Sequence, residues 1–301
     1  MLAFLPVFIR LPLAVLLVAL NVLLHAAVLL VLALIKGLVP IHGFRVGISR
    51  VLVVIAEQWI AANGLLFALF TRTRWRVEGM DGAGLSRGGW YLVLSNHQSW
   101  VDIPVLQKTF NRRIPFLKFF LKQQLKWVPV LGLAWWALDF PFMQRHSRET
   151  LEKHPEWRGK DRQATRKACE RFRHLPVSVM NFVEGTRFTP AKHARQESPY
   201  ANLLRPRAGG VAFVLETMGD MLQSIIDVTI VYPQGQPTVV DLLANRVAEV
   251  RVHVRQLPIP QEFVGRDYEN DAQFRAQFQD WMSALWKDKD ALIARMRNGG
   301  A

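Results

Sequence analysis

Residues 90–102 read WYLVLSNHQSWVD, an apolar run followed at once by a polar turn. An unbroken apolar run that ends in polar residues is typical of a strand inside a sheet, so we predict a strand over Trp90–Ser95 and a helix that begins after Ser99. His97 then lies in the strand-to-helix turn and Asp102 in the first helical turn. Loops on a rigid scaffold often carry catalytic residues, which makes this turn a candidate site.

Two interpretations of His97 and Asp102 remain open at this point. A carboxylate that bonds the imidazole fixes its tautomer and stabilises the imidazolium, so His97 could remove a proton from a substrate hydroxyl, typically an effect of about 10²–10⁴-fold. The stretch Ser99–Asp102 also fits a capping box, in which Asp102 only closes the start of the helix.

The rest of the chain after residue 72 alternates strand-like with helix-like stretches. Further strands are predicted at Arg74–Val77, Leu138–Met143, Val177–Val183, Ile225–Tyr232 and Glu249–Leu257, with a glycine-rich turn, Gly79–Gly89, joining the first to Trp90–Ser95. This alternation predicts an α/β fold with a mixed, partly parallel sheet covered by helices. A C-terminal apolar stripe fits either the core or a membrane contact, and comprises Phe274, Phe278, Trp281, Met282, Leu285 and Trp286.

The N-terminal region predicts a membrane anchor over residues 1–71, ahead of a domain over residues 72–301. Leu11–Ile35 is 25 residues without a charge, longer than the roughly 20 that cross a bilayer core and too long for the apolar part of a signal peptide. A second apolar run, Val51–Phe70, contains Glu57 and Asn63. It could form a second span, an interfacial helix or a helix packed on the first.

The distribution of charge predicts which side of the membrane the domain occupies. Arg10 precedes the first run, whereas the residues that follow it include Lys36, Arg45, Arg50, Arg72, Arg74 and Arg76. The positive-inside rule then places the domain on the cytoplasmic side, and we expect a bacterial inner membrane. The net charge is +14, which suggests an anionic partner such as nucleic acid, a membrane surface or an acidic substrate.

Three short blocks follow the first one along the chain. They are Phe140–Arg145 (FPFMQR), Phe182–Arg187 (FVEGTR) and Val231–Pro233 (VYP). Gly185 allows the backbone to approach a ligand closely, and an arginine binds phosphate through its planar fork of donors. Without the other blocks, FVEGTR would also fit a turn at a strand end whose Glu184 and Arg187 form a surface ion pair.

The order of the four blocks resembles that of the glycerolipid acyltransferase family, the 1-acylglycerol-3-phosphate acyltransferases, over about residues 74–257. The resemblance implies that His97 and Asp102 are the catalytic HX4D pair. It also implies phosphate-binding roles for Glu184, Gly185, Thr186 and Arg187, and for Arg145, although the second block lacks a glycine that is common in the family. Weaker matches add Asn96, Lys122, Arg205 and Arg207 as further candidate site residues.

The resemblance implies transfer of a fatty acyl group from acyl-CoA or acyl carrier protein to a lysophospholipid, foremost 1-acyl-sn-glycerol-3-phosphate, to give phosphatidic acid. No cofactor, metal or nucleic acid is expected, because Cys169 is the sole cysteine and neither His-Glu-x-x-His nor a nucleic-acid-binding motif occurs. Two alternatives stay open: another lysophospholipid as acceptor, and a non-catalytic, membrane-associated lipid-binding protein on the same fold.

Overall fold

A computed structural model gives the arrangement of the 301-residue chain. It describes residues 2–80, 84–143, 166, 169 and 171–299, with the backbone alone at residues 122, 143, 171 and 174. The second block's Arg145, predicted above as a phosphate ligand, lies outside the described residues.

The centre of the fold is a six-stranded mixed sheet in the order β1-β8-β7-β2-β6-β3. Its strands are β1 (Arg74–Glu78), β2 (Tyr91–Ser95), β3 (Leu117–Phe119), β6 (Ser178–Phe182), β7 (Ser224–Val231) and β8 (Glu249–Leu257). Strands β7, β2, β6 and β3 are mutually parallel, whereas β8 is antiparallel to β7 and parallel to β1. The predicted fold class is therefore confirmed. Two short strands, β4 (Leu121–Lys122) and β5 (Phe142–Met143), pair separately.

Helices cover both faces of this sheet. The α-helices of the described residues are α1 (Val7–Leu38), α2 (His42–Phe70), α3 (Asp102–Phe110), α4 (Leu131–Ala137), α5 (Pro190–Arg195), α6 (Gly209–Met218), α7 (Val239–Leu243) and α8 (Ala272–Arg297). Short 3₁₀ helices occur at Gln123–Trp127, Arg171–His174 and Gln261–Phe263. Asp271 begins α8 as an N-cap that accepts from the Phe274 amide, and Thr238 and Asp241 form a capping box at α7.

The alternation of side chains along the buried strands separates two cores. On β7, Ile225 faces the core formed with α6 and α8, whereas Ile226 faces the core formed with α3 and the ends of α1 and α2. All eight residues of β7 and all five of β2 are buried, as expected for central parallel strands covered on both faces. The stripe on α8 belongs to the core, because Phe274, Phe278 and Trp286 are buried there.

The predicted strand Leu138–Met143 is wrong for most of its length. Ala137 ends α4, Asp139 has φ +56°, and only Phe142–Met143 is extended, in the small second sheet. Pro141 also lacks the N–H that a ladder requires. The sequence prediction missed β3, whose three residues are too short for a clear pattern. Gly79–Gly89 joins β1 to β2 as a crossover, because β8 and β7 lie between these two strands.

Helices α1 and α2 form an antiparallel hairpin that is long and apolar enough to cross a membrane. Asn21 joins the two helices by donating to Asn63 Oδ1 at 2.8 Å. The hairpin also contacts the remainder of the chain along its length. Arg10 donates to the carbonyl oxygen of Ala244 at 2.6 Å, and Lys36 pairs with Asp139 at 2.5 Å.

Candidate active site

The candidate residues gather at the carboxyl ends of three adjacent parallel strands, β7, β2 and β6. The loops after β2 and β6 touch directly, since the Phe188 amide donates to the carbonyl oxygen of His97 at 2.8 Å. Asn96 fixes the loop after β2 to β7 through two bonds of 2.9 Å with the backbone of Ile230. The carboxyl ends of parallel strands are where open α/β sheets bind ligands, and buried Asn96 has a structural role there.

His97 and Asp102 form a hydrogen-bonded pair. The His97 Nδ1 atom lies 2.8 Å from Asp102 Oδ2. The same oxygen accepts from the backbone amides of Gln98 and Ser99, at 2.6 and 2.9 Å, and Asp102 Oδ1 accepts from the Tyr232 hydroxyl at 2.6 Å. Asp102 thus fixes the turn and also orients the imidazole. The reciprocal capping box is not formed, because the Ser99 hydroxyl accepts from the Val101 amide rather than from the Asp102 amide. Nε2 is the ring nitrogen left for a substrate.

The His97 side chain lines a cavity of about 380 Å³. Its ring stacks on that of Phe182, with centroids 3.8 Å apart. The apolar lining residues include Phe119, Phe120, Leu121, Leu125 and Phe213, and Gly185, Thr186 and Arg187 line the same cavity. A single cavity therefore has apolar residues, a guanidinium and the His97 imidazole in its lining.

The third block, Phe182–Arg187, contributes the Arg187 guanidinium to the lining of this cavity. Gly185 has φ +66°, a conformation that favours glycine, and a Cβ atom there would lie 2.8 Å from Cδ of Arg207, so that side chain would have to shift. The Arg187 guanidinium lies over the Trp100 ring, 4.5 Å from its centroid. Stacking on the indole leaves the planar edge of the guanidinium available for bidentate bonds to an anion.

Glu184 does not face the cavity as the phosphate-binding prediction requires. It is fully buried, and its two carboxylate oxygens accept from the backbone amides of His97 and Leu204, at 2.8 and 2.9 Å. An anion in this position would repel a phosphate rather than bind it. Its bonds instead hold the loop after β2 to the segment that leads to Arg205 and Arg207.

Burial raises the pKa of Glu184 to about 7, although the amides of His97 and Leu204 oppose the shift. A raised pKa means that the folded state holds the proton more tightly between about pH 4.5 and 7. The free energy of unfolding should therefore fall as the pH rises through this window, by about 3 kcal/mol in all, and then level off.

Glu184→Gln should remove this pH-dependent component of stability. We expect urea unfolding in detergent, measured from pH 5 to 8, to give a flatter profile for Glu184→Gln than for the parent. The exposed Glu262→Gln serves as the matched control and should reproduce the parent slope. Parallel profiles for the parent and Glu184→Gln would contradict the buried, proton-sensitive carboxyl.

The remaining predicted residues differ in their surroundings. Arg207 is exposed beside Gly185, whereas Arg205 donates to the carbonyl oxygens of Gln196 and Glu197. The Arg205 guanidinium is thus already engaged away from the cavity. Lys122 lies in β4, and its backbone pairs with Met143.

Sequence reasoning missed three residues around the site. Tyr232 lies in the VYP block but received no role, and Trp100 stands between His97 and Asp102 in the first block. Lys192, on α5, donates to Thr186 Oγ1 at 2.7 Å and to the carbonyl oxygen of Arg187 at 2.9 Å. In the sequence, Lys192 is distinguished only as a basic residue five positions after Arg187. The fold shows that its side chain bonds the third block.

Other chemistries find less support in the described part of the chain. Cys169 is buried, and burial raises the pKa of its thiol to about 12, so it is no thiolate nucleophile at neutral pH. Over the same residues, no group of three or more His, Cys, Asp or Glu side chains could hold a metal ion.

Comparison with known proteins identifies the class to which this arrangement belongs. The family model described as Acyltransferase matches residues 76–233, more than half of the chain, from the middle of β1 to the end of the VYP block. The chain belongs to the acyltransferase family.

Two curated relatives are named for the lipids on which they act. Lysocardiolipin acyltransferase 1 of Gallus gallus is 28% identical over 235 residues, 73% of this chain and 57% of the relative. The 1-acyl-sn-glycerol-3-phosphate acyltransferase delta of Mus musculus is 25% identical over 214 residues, 66% of this chain and 51% of the relative. The chain thus spans little more than half the length of these curated relatives.

A solved structure shares the fold. The 1-acyl-sn-glycerophosphate acyltransferase PlsC from Thermotoga maritima is 16% identical and aligns with a TM-score of 0.50 over 93% of this chain and 95% of that one. Because the alignment includes nearly all of both chains, the likeness extends beyond the residues that the family model matches.

Proposed function

We propose that this protein is an enzyme that transfers a fatty acyl group from an acyl thioester to a hydroxyl of a lysophospholipid. The observation that carries the proposal is the 2.8 Å bond between His97 and Asp102 at a cavity that also holds the Arg187 guanidinium. A base and an anion-binding group in one partly apolar space suit an acceptor with a hydroxyl, a phosphate and an acyl chain.

The proposed reaction is a direct transfer. His97 Nε2 takes the proton of the acceptor hydroxyl while that oxygen attacks the thioester carbonyl, and Asp102 stabilises the imidazolium that forms. As the tetrahedral intermediate collapses, the C–S bond breaks, and the imidazolium returns its proton to the departing thiolate. The acyl group never needs a protein nucleophile, in keeping with the buried Cys169.

Arg187 is the proposed ligand of the acceptor phosphate, with Gly185 letting the backbone approach and Thr186 beside it. Lys192 fixes this loop through Thr186 and the Arg187 carbonyl, and Arg207 adds positive charge next to Gly185. Arg145 remains a further candidate from the resemblance alone. The donor is acyl-CoA or acyl carrier protein, and the reaction needs no other cofactor.

The foremost acceptor is 1-acyl-sn-glycerol-3-phosphate, with phosphatidic acid as product. Its terminal phosphate presents several free oxygens to the fork of Arg187. A second candidate is a lysophospholipid whose phosphate is a diester, such as lysocardiolipin, because a relative named for that substrate is 28% identical to this chain.

The α1–α2 hairpin is the proposed membrane anchor, with the site on the cytoplasmic side of a bacterial inner membrane. Arg10 and Lys36, both bonded to the remainder of the chain, are about 39 Å apart along α1 at 1.5 Å per residue. Buried Glu57 on α2 also pairs with Arg87 at 2.7 Å. These contacts support a hairpin that lies against the domain at the membrane surface rather than one that projects away from it.

Acyl transfer by the purified full-length protein tests the proposal. Acyl-CoA or acyl carrier protein thioesters are offered with 1-acyl-glycerol-3-phosphate, glycerol-3-phosphate and several lysophospholipids. We expect the highest kcat/KM with 1-acyl-glycerol-3-phosphate. A preference for a diester acceptor would select the second candidate, and lipid binding without transfer from any donor would favour a non-catalytic lipid-binding protein.

A further inference from the structure

The segment from Gln123 to Ala137 presents large apolar side chains to solvent. Trp127, Leu133 and Trp136 are 85%, 51% and 54% exposed. Helix α4 within it reads LGLAWWA and contains no polar residue. A helix that is apolar on every side is normally covered on every side, so the exposed face of α4 indicates a contact with something else.

One face of α4 is already covered by the hairpin. Ala134, Leu138 and Phe140 form a single cluster with Leu29 of α1 and Leu52 of α2. Leu133 and Trp136 are three residues apart and therefore share a face of the helix, whereas Ala134 and Ala137 are buried. The exposed face of α4 is thus an apolar surface beside the two helices that are long and apolar enough to enter a membrane.

The charge around this surface suits an anionic lipid. Residues 111–143 contain one acidic residue, Asp139, which pairs with Lys36. The basic residues of the same stretch are Arg112, Arg113, Lys118, Lys122 and Lys126. Lys126, next to Trp127, is exposed, whereas Lys118 is buried and Arg112 lies 4.0 Å from Glu57. Exposed tryptophans flanked by basic residues are typical of segments at a membrane interface, where cations meet anionic headgroups.

The same segment is joined to the candidate site. Leu121 and Leu125, just before Trp127, line the cavity that holds His97. If Trp127 lies at the level of the headgroups, this side of the cavity lies next to the acyl chains of the bilayer. A lipid acceptor could then pass from the membrane to the imidazole without crossing water.

We propose that Trp127, Leu133 and Trp136 form a second membrane-contacting surface, distinct from α1 and α2, that inserts into an anionic phospholipid bilayer and holds this side of the cavity against the lipid. The passage of the acceptor rests on the proposed function, whereas the membrane contact does not and is tested without catalysis.

Quenching of site-attached fluorophores tests the contact. Full-length Cys169→Ala protein carries one new cysteine, Trp127→Cys, Leu133→Cys or Trp136→Cys, and is reconstituted in phosphatidylethanolamine–phosphatidylglycerol vesicles. Gln277→Cys, exposed on α8 across the sheet from the hairpin, is the control. We expect a lipid-borne nitroxide to quench the three sites more strongly than residue 277, and aqueous iodide to show the reverse order.

Two results would contradict the proposed membrane contact of these three residues. Iodide could reach the three sites as readily as residue 277. Alternatively, the three sites could be protected from both quenchers, which would mean that protein rather than lipid covers them, as in an assembly with a second copy of the chain.

A combined Trp127→Ser, Leu133→Ser, Trp136→Ser variant tests the consequence. Transfer to a lysolipid embedded in vesicles should fall on the order of tenfold, because each lost apolar contact weakens insertion. Transfer to a short-chain lysolipid dissolved as monomers should match the parent, and an equal fall with both acceptors would refute the role in delivery. If the parent acylates no acceptor at all, the proposed function fails, while the quenching result still decides the membrane contact.

Discussion

Replacing His97 with alanine should lower kcat for acyl transfer by about 10³-fold, within the range typical of a lost general base. The imidazole has its Nδ1 bonded to Asp102 and lines the cavity, so its removal leaves the acceptor hydroxyl without a proton acceptor. The turn itself depends on the backbone amides of residues 97–99 and on Asp102 and Glu184. These bonds do not involve the imidazole, and the variant should remain folded.

The control for this prediction is His253→Ala. His253 lies on β8, two strands away from β2, and its loss should leave kcat near that of the parent. Thermal melting and membrane recovery of both variants establish that each is folded. A folded His97→Ala protein that transfers acyl groups at the parent rate would remove His97 as the base and, with it, the proposed mechanism.

Asp102→Asn is a less clean test of the same mechanism. Asp102 Oδ2 accepts three hydrogen bonds and Oδ1 accepts one, whereas an asparagine amide would put an N–H group against existing donors. This substitution should therefore lower both kcat and the melting temperature. Tyr232→Phe removes one bond to Asp102 and leaves the other three, so its effect on kcat should be smaller than that of His97→Ala.

The sequence predicted the parts of the site whose geometry is local. His97 and Asp102 are five residues apart in a single turn, so any strand-turn-helix arrangement brings them close. The parallel central strands were predictable for a similar reason, since β2 is mostly apolar and β7 is rich in β-branched apolar residues. β3 was not, because three residues with Lys118 at their centre carry neither an apolar run nor a useful alternation.

The parts of the site that the sequence did not predict depend on contacts between residues far apart in the chain. The role of Glu184 depends on the Leu204 amide and on full burial, neither of which follows from the local block. Leu204 is held in turn by α8, since the Trp286 indole N–H donates to its carbonyl oxygen at 3.0 Å. Lys289, also on α8, is fully buried and pairs with Asp227 on β7 at 2.7 Å. A stripe of apolar residues predicts that α8 packs, but it does not predict which loop it supports.

Arg187→Ala should raise the KM for the acceptor by about 10- to 100-fold, the range expected when a charged group loses a hydrogen-bonded partner. Arg187 stacks on Trp100, and none of the described carboxylates forms an ion pair with it, so a bound phosphate would be its natural counter-ion. The KM for the acyl donor should change less. Arg275→Ala, on α8, is the control, because the Arg275 side chain donates to the Glu269 carbonyl oxygen and does not line the cavity.

Comparing two acceptors makes this prediction specific to the phosphate. Arg187→Lys keeps the charge but loses the bidentate fork, so it should recover only part of the affinity. With 1-acyl-glycerol-3-phosphate the loss in Arg187→Ala should be larger than with a lysophospholipid whose phosphate is a diester, which offers fewer free oxygens. An equal rise in KM for both acceptors would mean that Arg187 attracts anions in general and does not recognise the terminal phosphate. An unchanged acceptor KM would contradict any role for Arg187 in binding the acceptor.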